Sequence, residues 1–302
     1  MTYDVLIVGG GPGGLAAALA LGRARKRVLL CDGGVRRNER AEHLHNFVTR
    51  DGTPPLEFRR IGREQLLPYP SVDVRDGWIE AIGGEKGAFT FTLDGEAHQA
   101  RRILLTTGMV DLLPELPGFA ELWGRSIFQC PYCHGWEIQD RPFAVWLSAP
   151  EMVKFALLLR GWTSSVVALT HGAFPLDAEQ RDLLARAGVP VDERPLAALI
   201  PKAPAQGPDA RLERIEFSEG PPLAVEALFA KPPQRQVALV TSLGLQLGEA
   251  GFIETHAMTK ETSIPGIYAA GDATTGMQGA TLAAGAGVHA AAWINHELTI
   301  EL

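Results

Sequence analysis

Apolar positions at the start of the chain form two short runs on either side of a glycine-rich turn. Residues 3–8 are almost continuously apolar, which predicts a strand buried on both faces of a parallel sheet. The alanine-rich stretch after the turn has the composition of a helix, and a second, mostly apolar strand is predicted at residues 27–30, ending at Cys31 and Asp32. Residues 4–34 are therefore predicted to form a strand, a tight turn, a helix and a second strand.

Later segments show related patterns. Residues 102–108 predict another buried strand, residues 141–172 repeat the strand–helix–strand order, and residues 41–70 are polar and helix-like. Residues 262–298 predict a strand that ends at Asp272 and then a helix of small residues. An aspartate in this place either contacts a ligand, as at the carboxyl ends of parallel strands, or caps the helix. The pattern as a whole predicts an α/β fold in which a strand–helix–strand unit occurs twice.

The glycines of the first turn have a spacing that is typical of dinucleotide binding. Gly9, Gly11 and Gly14 form the motif G-x-G-x-x-G between the predicted strand and helix. The first glycine makes the turn, the second lets the backbone approach a pyrophosphate, and the third lets helix and strand pack closely. Asp32 follows Gly14 by eighteen residues, close to the usual distance for an acid that binds a ribose hydroxyl. A glycine-rich turn without a ligand is the alternative interpretation.

Composition and charge exclude several classes of protein. The chain has 302 residues, is 46% hydrophobic and carries a net charge of −7, without a long basic run. This balance argues against nucleic acids and anionic membrane surfaces as partners. We find neither a secretory signal nor an apolar stretch long enough to span a membrane. With only three cysteines, the sequence predicts a cytoplasmic protein, in which a C-x-x-C pair is more often catalytic or metal-binding than structural.

The stretch FQCPYCHGWE, residues 128–137, contains Cys130, Cys133 and His134. A zinc site needs four ligands, and the remaining cysteine, Cys31, is in the predicted second strand, so we expect no metal. A structural disulfide is also disfavoured, because a loop this short restrains little of the unfolded chain. The interpretation that remains is a redox pair that opens and closes by thiol–disulfide exchange.

Three motifs in order, GGGPGG (9–14), CPYC (130–133) and TSIPGIYAAGD (262–272), resemble the thioredoxin-reductase-like group of flavin disulfide oxidoreductases. The resemblance extends over nearly the whole chain and implies FAD as the cofactor. It implies an α/β fold of two dinucleotide-binding, Rossmann-like domains, the first of which is a discontinuous FAD domain at residues 1–114 and 241–302. A second, smaller NAD(P)H-domain-like region, residues 115–240, would be inserted there and carry the redox pair at its start. It also implies a homodimer.

Residue roles follow from the same resemblance. Cys130 is the outer sulfur that exchanges with the substrate, and Cys133 is the inner sulfur that faces the flavin. His134 replaces an acidic residue, and an imidazole with an ordinary pKa of about 6.5 suits proton transfer at neutral pH. The FAD contacts that the resemblance implies are at Gly9, Gly11, Gly13, Gly14, Asp32, Asn46, Thr107, Gly108, Gly271, Asp272, Gln278, Gly279 and Ala280.

The second dinucleotide unit departs from the family pattern. Its turn reads VWLSAPEM, residues 145–152, and lacks glycine, and Pro150 has no N–H group to donate. After the next strand comes His171 in place of the pair of arginines that binds the 2′-phosphate of NADPH. The sequence therefore predicts that this unit has no working NADPH site.

The favoured function is that of an FAD-dependent oxidoreductase that oxidises dithiols, with O2 as the acceptor. The CPYCH pattern is similar to that of flavin dithiol oxidases acting on small sulfur metabolites. A small dithiol and a thioredoxin-like protein both remain open as substrates. One alternative is a reductase that uses NAD(P)H atypically, or that takes electrons from a ferredoxin or another flavoprotein. The other is a flavin redox sensor without catalysis.

Overall fold

The computed structural model describes residues 2–202, 207 and 209–301. Its strands are β1 (Thr2–Val8), β2 (Val28–Asp32), β3 (Val72–Asp76), β4 (Ile79–Glu85), β5 (Ala88–Leu93), β6 (Glu96–Leu105), β7 (Val110–Asp111), β8 (Ile127–Phe128), β9 (Phe143–Trp146), β10 (Val166–Leu169), β11 (Val191–Asp192), β12 (Leu196–Pro201), β13 (Leu212–Phe217), β14 (Leu223–Ala224), β15 (Ala227–Phe229), β16 (Gln234–Arg235) and β17 (Ile267–Ala269). Its α-helices are α1 (Pro12–Arg23), α2 (Pro55–Glu64), α3 (Phe119–Leu122), α4 (Pro131–His134), α5 (Val153–Leu159), α6 (Ala178–Arg186), α7 (Ala238–Ser242) and α8 (Ala280–Ile300).

The chain divides into two compact units, each assembled from separate parts of the sequence. The first unit comprises Met1–Glu39, Asn46–Asp111 and Gln234–Leu302, and the second comprises Arg40–His45 and Leu112–Pro233. The sequence-based limits of 1–114 and 241–302 differ from these by a few residues, and they did not separate residues 40–45. This short segment is held in the second unit by its polar side chains, since Arg40 donates to the carbonyl of Ala120 and Glu42 pairs with Arg211.

The first unit is built on a sheet in which parallel strands meet at one edge. Its order is β3-β2-β1-β6-β5-β4, and β17 also pairs with β6. The register places Val8 of β1 opposite Cys31 of β2 and Leu105 of β6, and Leu105 opposite Ala269 of β17. Because these strands end level with one another, the residues that follow them are brought together at the carboxyl edge of the sheet.

Helices α1 and α8 cover one face of this sheet and contribute Leu15, Leu21 and Ile294 to the core. They cross very closely, because a Cβ atom at Gly287 would lie 2.1 Å from the carbonyl oxygen of Gly13. Small residues at the crossing point, Gly13 and Gly287, are therefore required by the packing of the two helices. The close crossing fixes the start of each helix near the carboxyl edge of the sheet.

The second unit has a parallel sheet of order β11-β10-β9-β15-β8 and an antiparallel sheet of order β12-β13-β14. Fully buried aromatic rings of Phe119, Phe143 and Phe229 lie in its core. The strand–helix–strand pattern of residues 141–172 forms β9, α5 and β10. This confirms the prediction of an α/β fold with a second Rossmann-like unit.

The helix expected over residues 41–70 is much shorter than its pattern suggested. Only Pro55–Glu64 is helical. The adjacent prolines Pro54 and Pro55 explain the start of α2, because proline disfavours helical backbone in the residue before it and suits the first turn. Asn46 and Thr49 have left-handed backbone, with φ of 61° and 72°, which breaks any helix before that point.

In the part of the chain that the structure describes, we find no helix that combines the length and the apolar character needed to cross a membrane.

Candidate functional site

The turn after β1 is so tightly packed that most of its glycines have no room for a side chain, and only one of them borders free space. Gly9 has a φ of +114°, and a Cβ atom at Gly14 would lie 1.9 Å from the Gly9 carbonyl oxygen. A Cβ atom at Gly13 would lie 3.0 Å from the carbonyl of Ala283 in α8. Gly11 differs, because a Cβ atom there would meet nothing within 4 Å. The backbone of Gly11 therefore borders free space at the N-terminus of α1, where an anionic group binds favourably.

The residues after β6 lie beside this turn. The Thr106 hydroxyl donates to the Val8 or Gly9 carbonyl, at 3.1 and 2.8 Å, and so joins the two strand ends. The Thr107 hydroxyl is buried and has no hydrogen-bond partner in the described structure. Gly108 has a φ of +66°, which favours glycine. A buried hydroxyl without a partner is uncommon and indicates a contact that a ligand completes.

Asp32, at the end of β2, is buried and lies between two arginines of α2. Its carboxylate pairs with Arg59 and Arg63, the latter at 3.0 Å, and accepts the Gly34 N–H at 3.0 Å. A Cβ atom at Gly10 would lie 2.2 Å from its Oδ2 atom, so glycine is required there too. Sequence reasoning selected neither arginine, because the partners of a strand-end acid come from a helix distant in the chain.

Asp272, after β17, belongs to a polar cluster at the start of α8. Gly279 donates its N–H to Asp272 Oδ1 at 3.3 Å, and Arg37 Nη1 lies 3.6 Å from Oδ2. Burial raises the pKa of Asp272 above its ordinary value, although Arg37 opposes this shift. Arg37 also donates to both Asp111 oxygens, at 2.6 and 2.7 Å, and to the Gln278 amide oxygen.

The remaining predicted contacts of the first unit lie around the same helix start. Gly279 precedes α8 and Ala280 is its first residue. The Thr281 hydroxyl donates to the Asn46 carbonyl, which brings Asn46 to this point. Gly271 has a φ of +78° between β17 and Asp272. The structure thus collects all the predicted cofactor residues in one unit, at the carboxyl edge of its sheet.

This edge fits an FAD molecule. It offers the open backbone at Gly11 and two helix N-termini for the pyrophosphate, and the Thr107 hydroxyl as an unused polar group. The carboxylate of Asp272 and the amide of Gln278 add polar groups suited to a hydroxylated chain.

The predicted redox pair lies in the second unit at the short helix α4. Neither cysteine is in a disulfide in this structure, both are partly exposed, and Cys130 immediately precedes the helix. The Cys130 sulfur accepts hydrogen bonds from the Cys133 thiol and from the backbone N–H groups of Cys133 and Tyr132. These donors, with a smaller contribution from Lys231, lower the pKa of Cys130 to about 6. At neutral pH the Cys130 sulfur of the reduced pair is therefore mainly a thiolate.

His134 has an environment that the sequence did not reveal. Its ring stacks on Phe128, with centroids 4.4 Å apart, and its Nε2 atom is buried without a hydrogen-bond partner. Burial, with a smaller effect of His45, lowers the pKa of His134 to about 4. The ordinary pKa assumed from sequence is thus corrected, because an imidazolium loses its hydration in this position. At neutral pH His134 is a neutral imidazole.

The low pKa of Cys130 predicts a specific dependence of thiol reactivity on pH. In the reduced protein, alkylation of Cys130 by iodoacetamide should rise with pH around a midpoint near 6. Replacing Cys133 by alanine removes the first donor to the thiolate, so the midpoint should move upward toward the ordinary value of about 8.5. Mass spectrometry of the peptide that contains Cys130, at a series of pH values, measures both midpoints. An unchanged midpoint in Cys133→Ala would show that the Cys133 thiol does not stabilise this thiolate.

The turn after β9 is filled by its own side chains. The backbone N–H and the hydroxyl of Ser148 both approach the Met152 sulfur, at 3.4 and 3.1 Å. Pro150 begins the 3₁₀ turn that follows and has no N–H group. After β10, the Leu196 N–H donates to His171 Nδ1 at 2.7 Å. Ser148 and His171 lie at the two positions where this unit would be expected to contact a dinucleotide. Both already make hydrogen bonds within the chain.

The sequence did not indicate a cavity of about 200 Å³ in the second unit. Its lining includes Arg125, Phe128, His134 and Arg211, together with residues of the segment 40–45. In that segment, His45 Nε2 lies 3.3 Å from Glu137. No periodicity or motif connects these residues in sequence, so only the fold could bring them together.

Fold and site together define an oxidoreductase with two dinucleotide-type units and a dithiol pair in the second. Residues 3–169 match the sequence model of the pyridine nucleotide-disulphide oxidoreductase family, and the chain belongs to this family. It is an FAD-dependent disulfide oxidoreductase of the thioredoxin-reductase-like type.

Individual relatives agree with this assignment. Thioredoxin reductase tcpT of Claviceps purpurea is 31% identical over 277 residues, which cover 89% of this chain and 86% of the relative. The chain is also similar to the crystal structure of an oxidoreductase from Agrobacterium tumefaciens. The match covers the whole of both chains, with a TM-score of 0.90 and 35% identity. The crystal structure of HlmI has a TM-score of 0.89 and 36% identity, and the match covers 99% of this chain and 93% of HlmI.

Proposed function

We propose that the protein oxidises dithiols to disulfides through the Cys130–Cys133 pair, with O2 as the final electron acceptor and without NADPH. The observation that carries the proposal is the turn after β9. There Ser148 directs its N–H to the Met152 sulfur and Pro150 has none to offer.

A nicotinamide dinucleotide needs free backbone N–H groups at such a turn, because its pyrophosphate is held by them and by the helix dipole. A 2′-phosphate further needs a cation with fork geometry beyond the next strand. Arg194, an arginine near that strand end, is bound to Asp192 at 2.6 Å and lies over the Phe217 ring at 3.9 Å. The unit thus keeps a Rossmann-like fold while its binding positions serve internal contacts.

The first unit would hold FAD. We assign the pyrophosphate to Gly9, Gly11, Gly13 and Gly14, and the ribose to Asp32. The remaining flavin-side contacts would come from Asn46, Thr107, Gly108, Gly271, Asp272, Gln278, Gly279 and Ala280. When bound, FAD would accept two electrons from the reduced dithiol pair and pass them to O2, which is reduced to hydrogen peroxide.

The cysteine pair carries out the exchange. A substrate thiolate attacks the sulfur of Cys130 in the disulfide form, which breaks the Cys130–Cys133 bond and leaves a Cys133 thiolate. The second substrate thiol, as a thiolate, then attacks the substrate sulfur that is bound to Cys130. The substrate leaves as a disulfide, having lost two electrons and two protons, and the enzyme pair is reduced. A Cys130 pKa of about 6 favours this second step, since a thiolate of low pKa is the better leaving group.

His134 would accept the substrate proton. Its neutral form at pH 7 is the form that can do so, and it follows Cys133 directly in the chain. A base with a pKa of about 4 is weak, so we expect its contribution to lie at the low end of general-base effects, about a hundredfold.

The proposal is tested by mixing the anaerobic holoenzyme separately with dithiothreitol, NADPH and NADH while following the visible flavin band. We expect dithiothreitol to bleach the band and admitted oxygen to restore it, and we expect the nicotinamides to act slowly or not at all. Fast bleaching by NADPH would contradict the proposal and would show that the turn after β9 rearranges to bind it. A Cys130→Ser sample is the control. If dithiothreitol reduces the flavin directly, and not through the cysteine pair, the flavin band of this variant will be bleached as well.

The second candidate is a disulfide reductase with a thioredoxin-like protein as its partner, which the name of the Claviceps purpurea relative favours. In that case NADPH, a ferredoxin or another flavoprotein would supply electrons, and turnover would reduce a protein disulfide. We further propose that the protein acts as a homodimer in the cytoplasm, since the sequence resemblance and the cysteine content support both.

A further inference from the structure

The cavity of the second unit has a charged wall next to the redox helix. We call it the arginine cavity, after Arg125, Arg141 and Arg211, which contribute to its lining. It reaches His134, the residue that follows Cys133, and Phe128, which precedes Cys130 by two residues. A group held in this cavity would therefore contact residues that are near neighbours of both redox cysteines in the sequence.

The charges of the lining are paired unevenly. Arg141 lies 3.3 Å from Glu226, and Arg211 pairs with Glu42. Glu137, the other acid of the lining, lies 3.3 Å from His45. Arg125 is half-buried, and among the residues that the structure describes no carboxylate lies within ion-pair distance of it. It is thus the cation of the lining that a ligand anion can neutralise without displacing a protein partner.

A partly buried guanidinium without a counterion is costly, because burial removes water that nothing in the protein replaces. A carboxylate recovers this loss well, since its two oxygens match the guanidinium fork. A single unpaired arginine fits a group of one negative charge. Phe128 and Ile138 supply apolar wall beside it, which suits an aliphatic arm.

The cavity volume limits what can enter. At about 200 Å³ it is only somewhat larger than the roughly 150 Å³ apolar cavity that admits benzene. A short acyl chain with a terminal carboxylate fits such a space, whereas a protein loop does not. The cavity thus favours a small molecule over a protein as the substrate.

We propose that the arginine cavity binds the carboxylate arm of a small dithiol substrate, with Arg125 as the partner of the carboxylate. This inference rests on the proposed function, because it names the substrate class of the same redox pair. Arg125 is a specificity residue in this proposal and takes no part in the exchange of electrons.

The test compares lipoate with lipoamide. The two compounds share a cyclic disulfide and an aliphatic chain, but the chain ends in a carboxylate in lipoate and in an amide in lipoamide. Calorimetric titration into the oxidised holoenzyme measures binding without turnover. We expect lipoate to bind at least about tenfold more tightly than lipoamide. Arg125→Gln should remove this preference by weakening lipoate alone, and Arg125→Lys should restore part of it. Arg186→Gln is the matched control, because Arg186 is an exposed arginine of α6 paired with Asp182.

Equal binding of the two compounds by the unaltered protein would overturn the inference, whatever the variants do. So would a lipoate preference that survives in Arg125→Gln. Steady-state oxidation of dihydrolipoate and dihydrolipoamide separates this inference from the proposed function. If both dithiols are oxidised at equal rates and their disulfides bind equally, the proposed function stands and the carboxylate site fails. If neither is oxidised but lipoate binds through Arg125, the site stands and the proposed oxidation fails.

Discussion

Replacing Cys130 by serine is expected to lower the rate of dithiol oxidation by at least about a thousandfold, because the substrate thiolate loses the disulfide sulfur that it attacks. Cys133→Ser should cause a similar loss, since neither the internal disulfide nor its reopening is possible with one sulfur. Flavin content should stay unchanged in both variants, because both cysteines lie in the second unit and the predicted FAD residues lie in the first. Oxygen consumption with dithiothreitol and the visible flavin spectrum provide the two measurements.

The third cysteine is the matched control. Cys31 is buried in β2, its thiol lies 3.2 Å from the Gly77 carbonyl, and burial raises its pKa to about 11. It is therefore an unreactive thiol, and Cys31→Ser should retain most of the activity. Oxygen consumption that persists in Cys130→Ser would contradict the assignment of the redox pair. A large loss in Cys31→Ser with normal flavin content would mean that a second thiol takes part.

Two neighbouring glycines should separate binding of the cofactor from folding. A methyl group at Gly11 meets no protein atom within 4 Å, so Gly11→Ala should fold and keep the unfolding temperature of the apoprotein. The same methyl group occupies the space assigned to the pyrophosphate, and we expect flavin affinity to fall at least about a hundredfold. Gly14→Ala is different, because its Cβ would lie 1.9 Å from the Gly9 carbonyl. The free energy of unfolding of that variant should fall by several kcal/mol, roughly the cost of overpacking, or the variant should fail to fold.

Flavin released on denaturation and thermal unfolding of the stripped protein measure the two effects. Gly285→Ala is a suitable control, since it also meets nothing within 4 Å and lies within α8, past the proposed contacts at the helix start. It should keep both flavin and stability. Full flavin content in Gly11→Ala would show that the pyrophosphate does not approach this backbone.

Local patterns were sufficient for the start of the first unit. The continuous apolar run of β1 and the glycine spacing before α1 predicted a strand, a turn and a helix, and these elements are present. Such features depend on neighbours in sequence. A strand that is buried on both faces requires a continuous run of apolar residues, and a turn with positive φ favours glycine. The same is true of C-x-x-C, whose chemistry depends on a spacing of three residues.

Predictions failed where they depended on contacts between distant residues. The polar stretch 41–70 was expected to be one helix, but residues 40–45 pack into the second unit and only Pro55–Glu64 is helical. The pKa of His134 was taken as ordinary, yet its stacking on Phe128 and its burial lower it to about 4. Pro54 and Pro55 do mark the start of α2 in the sequence, but the packing of residues 40–45 and the burial of His134 are not encoded in the nearest residues.

The sequence by itself determined the class of the protein and its cofactor and predicted its redox pair, because each depends on residue types at short and regular spacings. Only the tertiary structure decided the protonation of His134, the partners of Asp32 and the arginine cavity. These depend on burial and on charges brought together from segments far apart in the chain. Desolvation and Coulomb energy vary with distance in space, which sequence separation does not report.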